Sequence, residues 1–135
     1  MDIRQHTVLI AEDSPTQASS LQETLEEKGL RVLHASDGIQ ALEMTKEHLP
    51  DAVILDIEMP GMNGLEVSAN LSRERSTKHI PIIMFTSHDS ATMVQKGFVL
   101  GAVDFIPKDI FAQAVLLETL RQLHILDNSE FANNA

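Results

Sequence analysis

Five short apolar runs recur along the chain, and their spacing constrains the fold more than any other feature. They lie at residues 8–11, 32–35, 52–55, 82–85 and 103–106. Each is rich in β-branched residues and nearly uniform in polarity, as expected of parallel strands covered on both faces rather than of half-exposed antiparallel ones. The runs recur about every 20 to 30 residues, leaving room for one helix between each pair. Right-handed crossovers of this kind predict an α/β domain: a five-stranded parallel sheet with helices on both faces.

The stretches between the runs carry helix signals with physical causes. Ser14-Pro15-Thr16-Gln17 reads as a capping box, with Ser14 at the N-cap, Pro15 at the first helical position and Gln17 reaching back. Ala18, Leu21 and Leu25 form an apolar stripe, and Gly29 provides a left-handed stop. Asp37 caps a second helix carrying Ala41, Leu42 and Leu49 that ends before Pro50. Asn63, with Glu66 three residues on, caps a third whose Leu65 and Ala69 face inward. Asp89 or Ser90 opens a fourth helix ending at Gly101, and a fifth spans about 109–126. Residues 72–79 read as a surface loop. The domain is expected over 1–127, followed by a flexible tail at 128–135.

Composition narrows the function. The 135 residues suit one domain, and 20 acidic against 10 basic residues give a net charge of −10. Such a balance argues against a nucleic-acid groove and against docking on an anionic membrane. There are no cysteines, which excludes disulfides, thiolate metal sites and cysteine nucleophiles. The six histidines show no metal-ligand spacing. No apolar run reaches the ~18 residues of a membrane helix, and the N-terminus is too polar for a signal peptide. A soluble cytoplasmic domain is expected.

Ligands of open parallel sheets bind beyond the carboxyl ends of the strands. The first run delivers Glu12 and Asp13 there, the third Asp56, the fourth Thr86 and Ser87, and the fifth Lys108. Converging carboxylates repel unless compensated, and an all-oxygen cluster suits a hard cation such as Mg²⁺. Lys108 and the Thr86 hydroxyl offer the charge and the donor that a phosphoryl group needs. Asp56 ends an apolar strand and is best placed to act as a nucleophile.

The set Glu12-Asp13, Leu55-Asp56-Ile57-Glu58-Met59-Pro60-Gly61-Met62-Asn63-Gly64, Thr86 and Lys108 resembles the receiver domain of two-component response regulators, in particular the single-domain chemotaxis type. The resemblance covers about residues 7–126 with its motifs in order. It implies strand order 2-1-3-4-5. It implies that Asp56 accepts a phosphoryl group from a histidine kinase or phosphotransfer domain. Asp13, Asp56 and the carbonyl of Glu58 would hold Mg²⁺ (or Mn²⁺), with Glu12 acting through a metal-bound water. Lys108 would pair with a phosphoryl oxygen, Thr86 would swing its hydroxyl onto another, and Phe105 would turn inward behind Thr86 as the aromatic switch. The readout would be the face of the fourth helix, fifth strand and fifth helix, offered to a downstream protein or to a second copy in a phosphorylation-dependent homodimer. A slow self-hydrolysis would reset it, without turnover of an external substrate, and no output domain is expected in this length.

Some residues depart from the family pattern or vary within it. Asp109 follows Lys108 where the family commonly has proline, so the Lys108-Asp109 peptide is either trans or held by strong local constraints. Ser87 matches the small residue that keeps phosphate access open. By the family pattern, Glu58 and His88 would flank the path of a hydrolytic water and tune the lifetime of the phosphorylated form. The fifth helix carries more apolar residues than one stripe absorbs, Ile110, Phe111 and Val115 among them. Two other classes compete. A haloacid-dehalogenase-type phosphatase also uses an aspartyl nucleophile, but has aspartate two residues on, where Glu58 stands here. A flavodoxin-like carrier needs a hydroxyl-rich loop and aromatic residues that this chain lacks.

Overall fold

The computed structural model describes residues 5–127. The tail expected at 128–135 lies outside them. Strands and helices alternate: β1 (Thr7–Ala11), α1 (Pro15–Glu27), β2 (Arg31–Ala35), α2 (Gly38–His48), β3 (Ala52–Leu55), α3 (Gly64–Arg73), β4 (Ile82–Thr86), α4 (Ala91–Val99), β5 (Asp104–Pro107) and α5 (Ala112–Gln122). All strand pairs are parallel and the order is β2-β1-β3-β4-β5, as the resemblance implied. Ala11 pairs with Leu55 and Thr86 with Pro107, so the tips of β1, β3, β4 and β5 share one edge.

Strand side chains alternate between two cores because successive residues point to opposite faces. Val8, Ile10, Ile54, Ile83 and Ile106 pack under α1 and α5 with Leu25, Leu116 and Leu120. Leu9, Val53, Leu55, Ile82 and Met84 pack under α2 and α3 with Ala41, Val67 and Leu71. Each such leucine or isoleucine contributes on the order of 1.5–3 kcal/mol through burial.

The caps explain where helices start. Asp37 accepts from the Gln40 N–H, and Ser90 accepts from Met93. Asn63 and Glu66 form the full reciprocal box, which fixes the loop between β3 and α3. Gly29 adopts φ +88 after α1, the expected stop.

Several expectations need correction. Ser14 accepts from the Gln17 N–H, but the Gln17 side chain does not return to Ser14; the Ser14 N–H donates to Glu12 instead. Leu49 is not carried by α2, which ends at His48; it sits in a left-handed C-cap and is 50% exposed. The inward face of α3 is Val67, Ser68 and Leu71, with Leu65 and Ala69 half-buried beside α4. Ser68 is tolerated there because its hydroxyl donates to the Leu100 carbonyl at 2.9 Å. Val103 lies outside β5 and is exposed.

The fifth helix is shorter than expected. Asp109 accepts from the Phe111 N–H, turning the chain before α5 begins. At the other end His124 adopts φ 62, and the Ile125 and His124 N–H groups donate to Leu120 and Arg121 carbonyls. This Schellman-type turn ends the helix at Gln122 and returns Ile125 and Leu126 to the first core. On the border strand β5, the Asp104 carboxylate accepts from the Phe105 N–H at 2.9 Å and from the Thr119 hydroxyl at 2.7 Å.

Candidate functional site

The shared edge brings four of the sequence-selected side chains into one network. Asp56 follows β3, is 7% exposed, and has both carboxylate oxygens engaged. Oδ1 accepts from the Thr86 hydroxyl at 2.6 Å and from the Glu58 N–H at 3.2 Å. Oδ2 accepts from the Lys108 ammonium at 2.7 Å. The same ammonium pairs with the buried carboxylate of Glu12. Thr86 is fully buried, and its oxygen accepts from the His88 N–H at 3.2 Å.

Lys108 is thus a bridge between the tips of β1 and β3, reaching across β4 from the end of β5. Its Nζ lies 6.0 Å from the centroid of the Phe85 ring, whose face favours a cation. The peptide after it is trans, since no cis bond occurs among the described residues. Burial of the ammonium works to lower its pKa, yet hydrogen bonds to Asp56 and Glu12 and the attraction of both carboxylates outweigh this, so the pKa is raised. The stability this gives is fully present below the unfolded lysine value of 10.5 and is lost as pH rises through the higher folded value. Urea midpoints should therefore fall above about pH 10.5 in the wild type and show a smaller fall in Lys108→Met. Parallel curves for the two proteins would contradict the pairing.

Asp13 stands next in the chain beyond Glu12 and is exposed. The Glu58 side chain extends to the His88 ring, linking the loops after β3 and β4. Among the described residues, no three His, Cys, Asp or Glu side chains are close enough together to hold a metal ion as they stand. The donor chemistry nevertheless fits a hard divalent cation. Glu12, Asp13 and Asp56 offer only oxygen, and Lys108 compensates only one of their three charges. Phe105 is half-buried against α4, its ring carbons packed over Gly97.

Two participants were not anticipated from the sequence. Gln17, in the first turn of α1, accepts from the Lys108 ammonium at 2.6 Å. Phe85, read only as a strand residue, lies beneath that ammonium.

Parallel order, strand-tip carboxylates, a buried hydroxyl and a bridging lysine define a doubly wound α/β domain with an anionic centre at its carboxyl edge. Residues 8–121 match the response regulator receiver domain, and the chain belongs to that family of phosphorylation-switched signalling modules, which do not turn over an external substrate. Protein PilH of Pseudomonas aeruginosa is 35% identical over 81% of this chain and 90% of its own length. Response regulator MprA of Mycobacterium leprae is 39% identical over 86% of this chain, which spans about half (50%) of that relative. The chemotaxis response regulator CheY4 of Vibrio cholerae superposes with a TM-score of 0.81 at 31% identity, covering 89% of this chain and 99% of its own. No helix among the described residues is long and apolar enough to cross a membrane.

Proposed function

We propose that Asp56 is the phosphoacceptor of a cytoplasmic receiver fed by a histidine kinase or phosphotransfer domain. The observation that carries this reading is the double engagement of one buried carboxylate, by a hydroxyl on one oxygen and an ammonium on the other. In the transfer, an Asp56 oxygen attacks phosphorus and the P–N bond to the donor histidine breaks. The imidazole leaves with the bonding pair and takes up a proton. Lys108 is already within reach of the charge that develops on the phosphoryl oxygens. Asp13, Asp56 and the Glu58 carbonyl would hold Mg²⁺ or Mn²⁺, with Glu12 acting through water, and the ion would withdraw charge from the phosphoryl oxygens.

Once Asp56 is phosphorylated, the Thr86 hydroxyl moves from carboxylate to phosphoryl oxygen, and the space it vacates admits Phe105. That shift biases the α4–β5–α5 face, where Val99, Val103, Ile110, Phe111 and Val115 are exposed, Ile110 at 89%. A downstream protein or a second copy would bind there. Self-hydrolysis of the acyl phosphate resets the domain.

Incubation with acetyl phosphate and Mg²⁺ followed by intact-mass measurement tests the assignment. One phosphoryl group should add to the wild type and none to Asp56→Asn. Equal uptake by both proteins, or sustained turnover of an external phosphomonoester, would overturn it.

A further inference from the structure

We infer that Gln17 is a positioning residue for Lys108, which its side-chain oxygen steers onto the acidic centre, an inference that rests on the role proposed for Asp56. Gln17 stands three residues after the N-cap Ser14, where a glutamine ordinarily turns back to the N-cap amide. Here only half of that box forms. The Ser14 N–H is satisfied by Glu12 Oε2 at 3.1 Å, which leaves the Gln17 carboxamide available. It reaches 2.6 Å from Lys108 Nζ, a residue 91 positions away.

The arrangement has a physical logic. The Lys108 ammonium has three donors, and Glu12, Asp56 and Gln17 supply three acceptors. Two are charged and belong to the acidic centre; the third is neutral and approaches from α1. A neutral acceptor holds the ammonium in place without adding a negative charge that would repel an incoming phosphoryl group. The first turn of α1 therefore grips Lys108 twice, directly through Gln17 and indirectly through the Ser14–Glu12 contact.

The β5–α5 segment is fastened to α1 by the same kind of chemistry further along. The Thr24 hydroxyl donates to Gln113 Oε1 at 2.8 Å, and Gln113 Nε2 donates to the Ser20 hydroxyl at 3.3 Å. Gln17, Ser20 and Thr24 fall on one stripe of α1, at helical spacing, facing the start of α5. Gln17 and Lys108 line a cleft between these helices together with Thr16, Ser20, Phe85 and Gln113. The Lys108 side chain is 17% exposed, so without an acceptor on this side only Glu12 and Asp56 would orient its ammonium.

Three proteins test the inference: wild type, Gln17→Met, which keeps length without a strong acceptor, and Gln17→Glu, which keeps the acceptor. Thermal unfolding serves as a control for folding. The readouts are proton exchange of the Lys108 ammonium by heteronuclear NMR and the rate of phosphoryl uptake from acetyl phosphate. In Gln17→Met the exchange should quicken and uptake should slow, each by about tenfold, the scale of one charge-assisted hydrogen bond at a partly exposed position. Gln17→Glu should retain slow exchange. Unchanged exchange and uptake in Gln17→Met would overturn the inference, as would slowed uptake in both variants with exchange unmoved. A wild type that gains no phosphoryl group sinks the Asp56 assignment and this inference with it. A wild type that gains one, matched by Gln17→Met, sinks only the inference.

Discussion

Replacing Lys108 with methionine is expected to slow phosphoryl uptake at Asp56 by about 10²–10³-fold, the usual loss when a preorganised charge partner of the transition state is removed. Methionine keeps most of the aliphatic stem beside Phe85, so the change isolates the ammonium from the packing. The same substitution should also destabilise the resting fold. The Glu12 and Asp56 side chains are only 8% and 9% exposed, and without the lysine two carboxylates face each other with no cation. Removing one partner of a buried ion pair costs about 3–5 kcal/mol, because the other charge stays buried. Urea unfolding without metal measures this directly. Adding Asp56→Asn to Lys108→Met should recover part of the loss, since a charge then leaves with its partner. If the single variant takes up phosphoryl groups at the wild-type rate, Lys108 has no part in the transfer.

A second large effect is expected at a residue that touches no reacting group. A Cβ at Gly64 would lie 2.2 Å from the Asp56 carbonyl oxygen, with the Asp56 carbonyl carbon and Ile57 Cα each at 2.9 Å. All three are backbone atoms, so no side-chain rotation relieves the clash. Gly64→Ala must push the end of β3 away from the start of α3, at a cost of about 1–3 kcal/mol or more. Two of the three displaced atoms belong to Asp56, the proposed phosphoacceptor. A shift near 1 Å carries roughly a 10²-fold penalty in a positioned reaction, so uptake should fall along with stability. Gly61→Ala is the informative contrast. Its Cβ would meet only the Ile39 side chain, at 3.5 Å, and its cost arises from φ +77 alone. That variant should lose about 1–2 kcal/mol of stability and keep most of its uptake rate. Equal uptake in both glycine variants would mean that contact between α3 and the end of β3 does not position Asp56.

Much of this was legible from the sequence because the relevant signals are local or periodic. The five apolar runs marked all five strands to within one residue at either end. The residues just past them marked the network that Lys108 and Thr86 close around Asp56. What escaped was set by contacts between distant residues. Gln17 reads as a cap because that rule looks three residues away, whereas a charge-assisted bond to Lys108 outweighs a neutral one to the Ser14 amide. Nothing in the sequence sets Ser68 apart, and its burial is tolerated because the Leu100 carbonyl, 32 residues on, accepts its hydroxyl. Gly64 reads as a helix start, and only the closing of the loop after β3, where the Gly64 N–H donates to the Ile57 carbonyl at 2.9 Å, brings the Asp56 carbonyl against it. The end of α5 was misjudged because His124 carries no turn signal as clear as glycine's. The reversal there is driven by the burial of Ile125 and Leu126.

The carboxylate of Asp104 has a consequence for how such domains can meet one another. A border strand normally offers a row of free amides onto which a foreign strand can be stitched. Here the Phe105 amide is already taken by its own neighbour, and that neighbour is moored to Thr119. The sheet is hemmed on this side, so another protein must dock on the surrounding side chains instead of lengthening the weave.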